Sequence, residues 1–162
     1  KEGKAKMNKQ EVITYLKELA ETEDRNDKVV FKKSDEVFKI FGAEEKEVLN
    51  PFNNYTYEWL KSFLTNVIEL LEDRDFENFN ELEEAINEKM TEWADTETDI
   101  YTSDLTEWLN ESENNVYYLG EAIEEGAEDG FKALSMAQYK AIEELFTNAN
   151  RCLIEHLKQE FS

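Results

Sequence analysis

Along most of this chain apolar residues recur three and four positions apart, the spacing that gathers them on one face of an α-helix. The clearest stripe is Leu60, Phe63, Leu64, Val67, Ile68 and Leu71, which predicts a helix from about Tyr55 to Glu72 with one core-facing side. A second stripe, Tyr139, Ile142, Phe146, Ala149, Leu153 and Leu157, predicts a long final helix over 135–161, opened by Ser135 with Gln138. Asn8 with Glu11 forms a capping pattern ahead of Val12, Tyr15, Leu16 and Leu19. Asn80 with Glu83 does the same ahead of Leu82, Ile86, Met90 and Trp93.

Shorter helices are predicted after Ser34, presenting Val37, Phe38, Ile40 and Phe41 and stopped by Gly42. Two more follow Ser103, with Leu105, Trp108 and Leu109, and Ser112, with Val116, Leu119 and Ile123. Glu21–Asp27 reads as a loop, and Lys28–Lys33 as a strand for which the sequence shows no partner. Asn50-Pro51 and Asn53-Asn54 mark one break, and Gly126 and Gly130 bracket an acidic turn. The pattern contains neither an internal repeat nor a sustained heptad. It predicts an all-α fold: one domain over 1–162 with six or seven helices and one short strand near the N-terminus.

Composition supports a folded chain. Apolar residues are 40% of the 162 and aromatics 12%, too many for a disordered acidic tail. Five glycines and one proline favour long helices over a turn-rich β fold. Lys1–Lys6, ahead of Met7, reads as an expression remnant outside the fold, and no apolar stretch of a signal peptide follows it. No apolar run approaches the ~20 residues of a membrane span. A single cysteine, Cys152, permits no internal disulfide and suits a reducing compartment. The expectation is a cytoplasmic protein that makes no contact with membranes.

Charge changes the picture most. The formal net charge is −21, and −20 of it lies between Pro51 and Phe131, where 23 acidic residues face only Lys61, Arg74 and Lys89. From Met90 to Phe131 there are 13 acidic residues and no Lys or Arg. Like charges so concentrated weaken the compact state, and solubility asks for a net charge of only about 2–8 in a small domain. Halophilic adaptation would spread the charge and deplete lysine, whereas lysine is abundant at both ends. Charge of this density points to a strongly basic partner surface, and surfaces of that kind bind nucleic acid.

Candidate chemistry is sparse by comparison. Glu69 with Glu72, and Glu92 with Asp95, are i, i+3 carboxylate pairs of the sort that hold Mg²⁺ in all-α nucleotide pyrophosphohydrolases. In so acidic a segment such pairs arise by chance, and the solvated-face reading is preferred. Asp95-Thr-Glu97-Thr-Asp99 resembles the start of a calcium loop, but Ile100 stands where glycine is needed and Thr106 where glutamate is needed. Cys152 and His156 are an i, i+4 pair, yet zinc requires further N or S ligands that the chain lacks. No activated nucleophile or glycine-rich phosphate loop is present. Neither enzymatic activity nor a cofactor is expected.

The acidic residues fall into rows. Glu84, Glu88, Glu92 and Asp95 form one, Asp104, Glu107 and Glu111 another, and Glu121, Glu124, Glu125, Glu128 and Asp129 a third. Carboxylates every three or four residues on a helix recur about every 5–6 Å, within a factor of two of the phosphate spacing along one DNA strand. The predicted partner-binding residues are Glu92, Asp95, Glu97, Asp99, Asp104, Glu107, Glu111, Glu113, Glu121, Glu124, Glu125, Glu128 and Asp129. Tyr117 and Tyr118 are candidate aromatic anchors beside them.

In small size, dense acidity, aromatic content and lack of catalytic motifs, the chain resembles the acidic DNA-mimicking inhibitors of phages and mobile elements, the anti-CRISPR and anti-restriction proteins. The segments 92–109, from Glu92-Trp-Ala-Asp to Glu107-Trp-Leu109, and 137–143, Ala-Gln-Tyr-Lys-Ala-Ile-Glu, are similar to small phage proteins of low-GC Gram-positive hosts. The use of 15 lysines to three arginines, with 14 asparagines, fits an AT-rich genome. The resemblance implies an inhibitor acting in the bacterial cytoplasm on an RNA-guided CRISPR nuclease or a restriction enzyme, without touching nucleic acid itself. A homodimer would extend the acidic surface. The alternatives are the Mg²⁺-dependent nucleotide pyrophosphohydrolase and a phage structural adaptor.

Overall fold

The computed structural model describes residues 7–41, 56–100 and 114–161. The described chain is mostly helical, with one two-stranded sheet, in the order α1 (Lys9–Leu19), β1 (Thr22–Arg25), β2 (Lys28–Phe31), α2 (Ser34–Phe41), α3 (Thr56–Asp73), α4 (Phe79–Ile100), α5 (Asn114–Glu124) and α6 (Gly130–Phe161). The predicted short helix after Ser103, the Gly42 stop and the breaks around Pro51 lie outside the described residues.

Helix α1 starts where its sequence says it should. Asn8 has extended backbone, and its Oδ1 accepts from the Glu11 N–H at 3.2 Å, satisfying one of the free donors of the first turn. Val12, Ile13, Leu16 and Leu19 are buried along one side. At the other end the Lys61 ammonium of α3 donates to the Ala20 carbonyl at 2.6 Å, a cation at the negative end of a helix.

The strand at Lys28–Phe31 does have a partner, which corrects the loop expected at Glu21–Asp27. Thr22–Arg25 pairs with it antiparallel, Thr22 opposite Phe31 and Arg25 opposite Lys28. The connection is Asn26-Asp27, with φ of 52° and 65°. Left-handed backbone at both turn residues is the hairpin geometry that follows the right-handed twist of paired strands. Phe31 is buried at its end.

Three helix starts differ from their sequence reading. The Lys33 carbonyl accepts the first bond of α2, from the Val37 N–H at 3.0 Å, so α2 is capped one residue before Ser34. Asn78, rather than Asn80, caps α4. Its Oδ1 accepts from the Glu81 N–H at 3.0 Å, and Glu81 accepts in return from the Glu77 N–H at 2.9 Å. Helix α6 begins at Gly130, five residues before Ser135, because the Asp129 carboxylate accepts from the Lys132 N–H at 2.8 Å. Ser135 and Gln138 are interior to it.

The 32 residues of α6 extend about 48 Å at 1.5 Å per residue, and α2, α3, α4 and α5 all pack against it. Helix α1 packs on α3, with Lys17 and Glu72 3.3 Å apart and, just past the end of α3, Lys9 and Asp75 3.0 Å apart. At the centre Phe63 of α3 lies between Trp93 of α4 and Phe146 of α6, at centroid distances of 6.2 and 5.6 Å. All six residues of the Leu60–Leu71 stripe are buried, as are Leu82, Ile86, Met90 and Trp93 of α4. In the final stripe Ile142, Phe146, Ala149, Leu153 and Leu157 are buried, and Tyr139 is half-buried. Asn150, also buried, donates to Asn87 Oδ1 at 3.0 Å and to the Glu83 carbonyl at 3.3 Å, fixing α6 on α4.

Helix α5 turns a different face inward from the one expected. Asn115, Tyr118 and Ala122 are buried and Leu119 is half-buried against the core, while Val116 and Ile123 are 61% and 58% exposed. Small side chains explain the choice. Ala133, Ala137 and Ala141 of α6 are buried on the helical line leading to Glu144, whose carboxylate Tyr118 hydrogen-bonds. Alanines there let α5 lie close to α6, and Ala122 fits that approach where Ile123 would not. The α5–α6 turn closes with Gly126 at φ 97°. The Gly126 N–H reaches the Ile123 carbonyl at 3.0 Å and the Ala127 N–H the Ala122 carbonyl at 3.2 Å, the paired bonds of a glycine-terminated helix.

Candidate functional site

Because α4 buries Leu82, Ala85, Ile86, Met90, Trp93 and Ala94, its other side is left to solvent, and that side is acidic. Glu81, Glu84, Glu88, Glu92 and Asp95 are all exposed. Their spacing of 3, 4, 4 and 3 residues keeps them on one face and sets five carboxylates along ~21 Å. Lys89 alone among the described residues of α4 offsets them, with its Nζ 3.7 Å from Glu92, an exposed pair of small energetic weight.

A second acidic group forms where α5 crosses the first half of α6. The Tyr117 hydroxyl is held to Glu121 and sits in the field of Glu144 and Glu124, which together raise its pKa. Tyr118 is shifted upward first by burial and then by Glu144. Lys140 pairs with Glu125 and feels Glu121 and Glu143 beyond it. Tyr139 donates to Glu143 at 3.1 Å, and burial, Glu143 and Asp95 raise its pKa. Tyr139 of α6 thus feels Asp95 of α4, and Lys140 beside it feels Glu121 of α5.

The predicted residues divide accordingly. Glu92, Asp95, Glu124 and Glu128 are exposed, and Glu121 is half-buried beneath Tyr117. Glu125 is engaged by Lys140 and Asp129 by the α6 N-terminus, so both have structural work within the fold. The side chains of Glu97 and Asp99, and all of Asp104, Glu107, Glu111 and Glu113, lie outside the described residues. Tyr117 is 62% exposed, but Tyr118 is 5% exposed and is no surface anchor. Glu143 and Glu144 were missed, since the flank 132–162 carries four acids and four bases and looks neutral in sequence. Their spacing of four residues from Tyr139 and Lys140 was the available signal.

Helix ends reinforce the charge. Neither α3 nor α5 has a basic residue in its last turn. Helix α3 finishes on Glu72-Asp73, and α5 on Glu124 followed by Glu125. Carboxylates at the negative end of the helix dipole are unfavourable, and the fold offsets part of the cost with Lys17 on Glu72 and Lys140 on Glu125.

The other constellations do not assemble. Phe63 packs on Trp93, so Glu92 and Asp95 lie level with the middle of α3, and Glu69 and Glu72 lie ~9–14 Å further along it. Glu72 is paired with Lys17. Residues 95–99 have helical backbone, whereas a calcium loop of that pattern requires a turning, non-helical chain. Among the described residues no group of three or more His, Cys, Asp or Glu is placed to hold a metal ion. A shallow depression beside α1 is lined by Gln10, Glu11, Thr14, Tyr15, Glu18 and Phe161, none of them basic. Cys152 is a half-buried free thiol pushed upward in pKa by burial. His156 turns away from it to Tyr15. No described helix is long and apolar enough to cross a membrane.

No family model, curated protein or solved structure matches the chain. Its surface carries the functional argument.

Proposed function

We propose that the protein is an inhibitor of phage type that occupies the basic nucleic-acid-binding surface of a bacterial defence enzyme, an RNA-guided CRISPR nuclease first and a restriction enzyme second. The observation that carries this reading is the exposed row Glu81, Glu84, Glu88, Glu92 and Asp95. A rigid helix holds those carboxylates about 5 Å apart, near enough to the phosphate repeat of one strand to meet an array of Lys and Arg built for DNA. Exposed rows of one sign steer the encounter and fix its register. The last turns of α3 and α5 hold no basic residue of their own, and the carboxylates there add negative potential that favours a cationic surface.

Titrating the protein into a purified type II RNA-guided nuclease bound to fluorescent duplex DNA tests the reading by anisotropy, with a restriction enzyme in parallel. Release of the DNA, weakening as salt screens the charges, is the expected result. DNA that stays bound to both enzymes at saturating protein counts against mimicry.

A further inference from the structure

Three of the four large apolar side chains that stand exposed among the described residues are on the short helix α5: Val116, Tyr117 and Ile123, at 61, 62 and 58%. We infer that this face, resting on the inhibitor reading above, receives an amphipathic basic helix of the target enzyme. Val116, Gly120 and Ile123 follow one another at i, i+4 and i+7, a line ~10 Å long. At Gly120 an added Cβ would meet nothing within 4 Å, so the line has an open notch at its middle where a partner's apolar side chain can seat. Tyr117 flanks the notch, held by its hydroxyl to Glu121.

The rim of the face sets the chemistry of its occupant. Glu121 and Glu124 border it on α5, Glu144 faces it from α6, and α5 itself contains no basic residue. The neighbouring cation, Lys140, is engaged with Glu125. An apolar stripe bordered by carboxylates along its Tyr117 side complements a helix with an apolar stripe bordered by Lys or Arg. A nonpolar partner would strand the carboxylates, and an acidic one would be repelled. The acidic row of α4 then supplies attraction over distance, and the α5 face the dry contact that ranks partners.

The test uses two synthetic peptides of identical composition, one with a leucine stripe between two lysine rows and one scrambled, and the variant Val116→Ser/Ile123→Ser. Both positions are exposed, so the variant keeps its fold, which its urea midpoint verifies. Val116→Ile/Ile123→Val is the conservative control. The striped peptide should bind the protein and the control, and bind the serine variant at least about tenfold more weakly, while the scrambled peptide binds both alike. Equal binding of the two peptides, unaltered by the serine substitutions, overturns the inference. So does a concentration-dependent dimer that dissolves in the serine variant, since a second copy would then occupy the face. In the DNA-release assay, a serine variant as effective as the parent overturns the α5 docking face and leaves the inhibitor reading standing. A parent protein that releases no DNA removes the inhibitor reading itself.

Discussion

Tyr15 and His156, 141 positions apart in the chain, are hydrogen-bonded through Oη and Nε2 at 2.6 Å. The Tyr15 hydroxyl donates to Glu36 Oε2 at 3.0 Å, so its oxygen accepts from the imidazole N–H. One hydroxyl thus joins α1, α2 and α6. The Tyr15 ring stacks on His156 and meets Phe161 edge-on, at centroid distances of 5.7 and 5.5 Å. Replacing Tyr15 by Phe keeps the ring contacts and removes both hydrogen bonds. It should cost about 1 kcal/mol, read as a lower urea midpoint with an unchanged slope.

Tyr15 and Tyr118 also give the protein an alkaline limit. Burial raises both hydroxyls well above their ordinary 10.0, and Glu36 and Glu144 add to the shift. Lys140, held by Glu125, is shifted in the same direction. The folded state keeps these protons after the unfolded chain has lost them. Stability from this source is therefore full below about pH 10 and is lost as pH rises from there towards the folded-state values. Urea titrations between about pH 8 and pH 11 should show the decline, and Tyr118→Phe should flatten it.

The hairpin turn is improvable. Asn26 and Asp27 both hold positive φ, 52° and 65°, which costs a side-chain-bearing residue roughly 1–2 kcal/mol. Asn-Gly is the preferred pair for such a turn. Asp27→Gly should stabilise the protein by about 0.5–1 kcal/mol, after allowance for glycine's greater freedom in the unfolded chain. A higher urea midpoint checks it.

What the sequence made legible follows from periodicity. The stripes of α3, α4 and α6 repeat over many turns, and tertiary packing buries the faces they define. The hairpin was illegible because Thr22-Glu-Asp-Arg25 has no apolar residue to alternate and its turn lacks the usual glycine. In α5 two faces compete, and packing against the alanines of α6 favours Tyr118 and Ala122 over Val116 and Ile123. Helix starts shifted because a chain rich in Asn, Ser and Glu offers several capping patterns within a few residues, as Asn78 and Asn80 illustrate. The acidity of the α4 row was visible in sequence. The part of Glu143 and Glu144 beside Tyr139 and Tyr118 required the fold, since those residues come from a flank with balanced charge.

Salt should act on stability and binding with opposite signs. A formal charge of −21 repels itself in the compact state. Raising salt from about 0.01 to about 1 M shortens the screening length from about 30 to about 3 Å. The melting temperature should rise over that range while affinity for a basic partner falls. A melting temperature that falls with salt would mean that attractive surface pairs such as Lys9–Asp75 and Lys17–Glu72 outweigh the repulsion.

The most direct measurement is charge reversal along α4: Glu84, Glu88, Glu92 and Asp95 replaced together by Lys. All four are exposed, and the helix tolerates lysine well, so the variant should fold with the helix content of the parent by circular dichroism. Assayed for release of DNA from the defence nuclease, it should lose at least about two orders of magnitude in potency, the scale of several desolvated charge pairs. A folded variant that releases DNA as well as the parent would contradict the claim that this row stands in for phosphates.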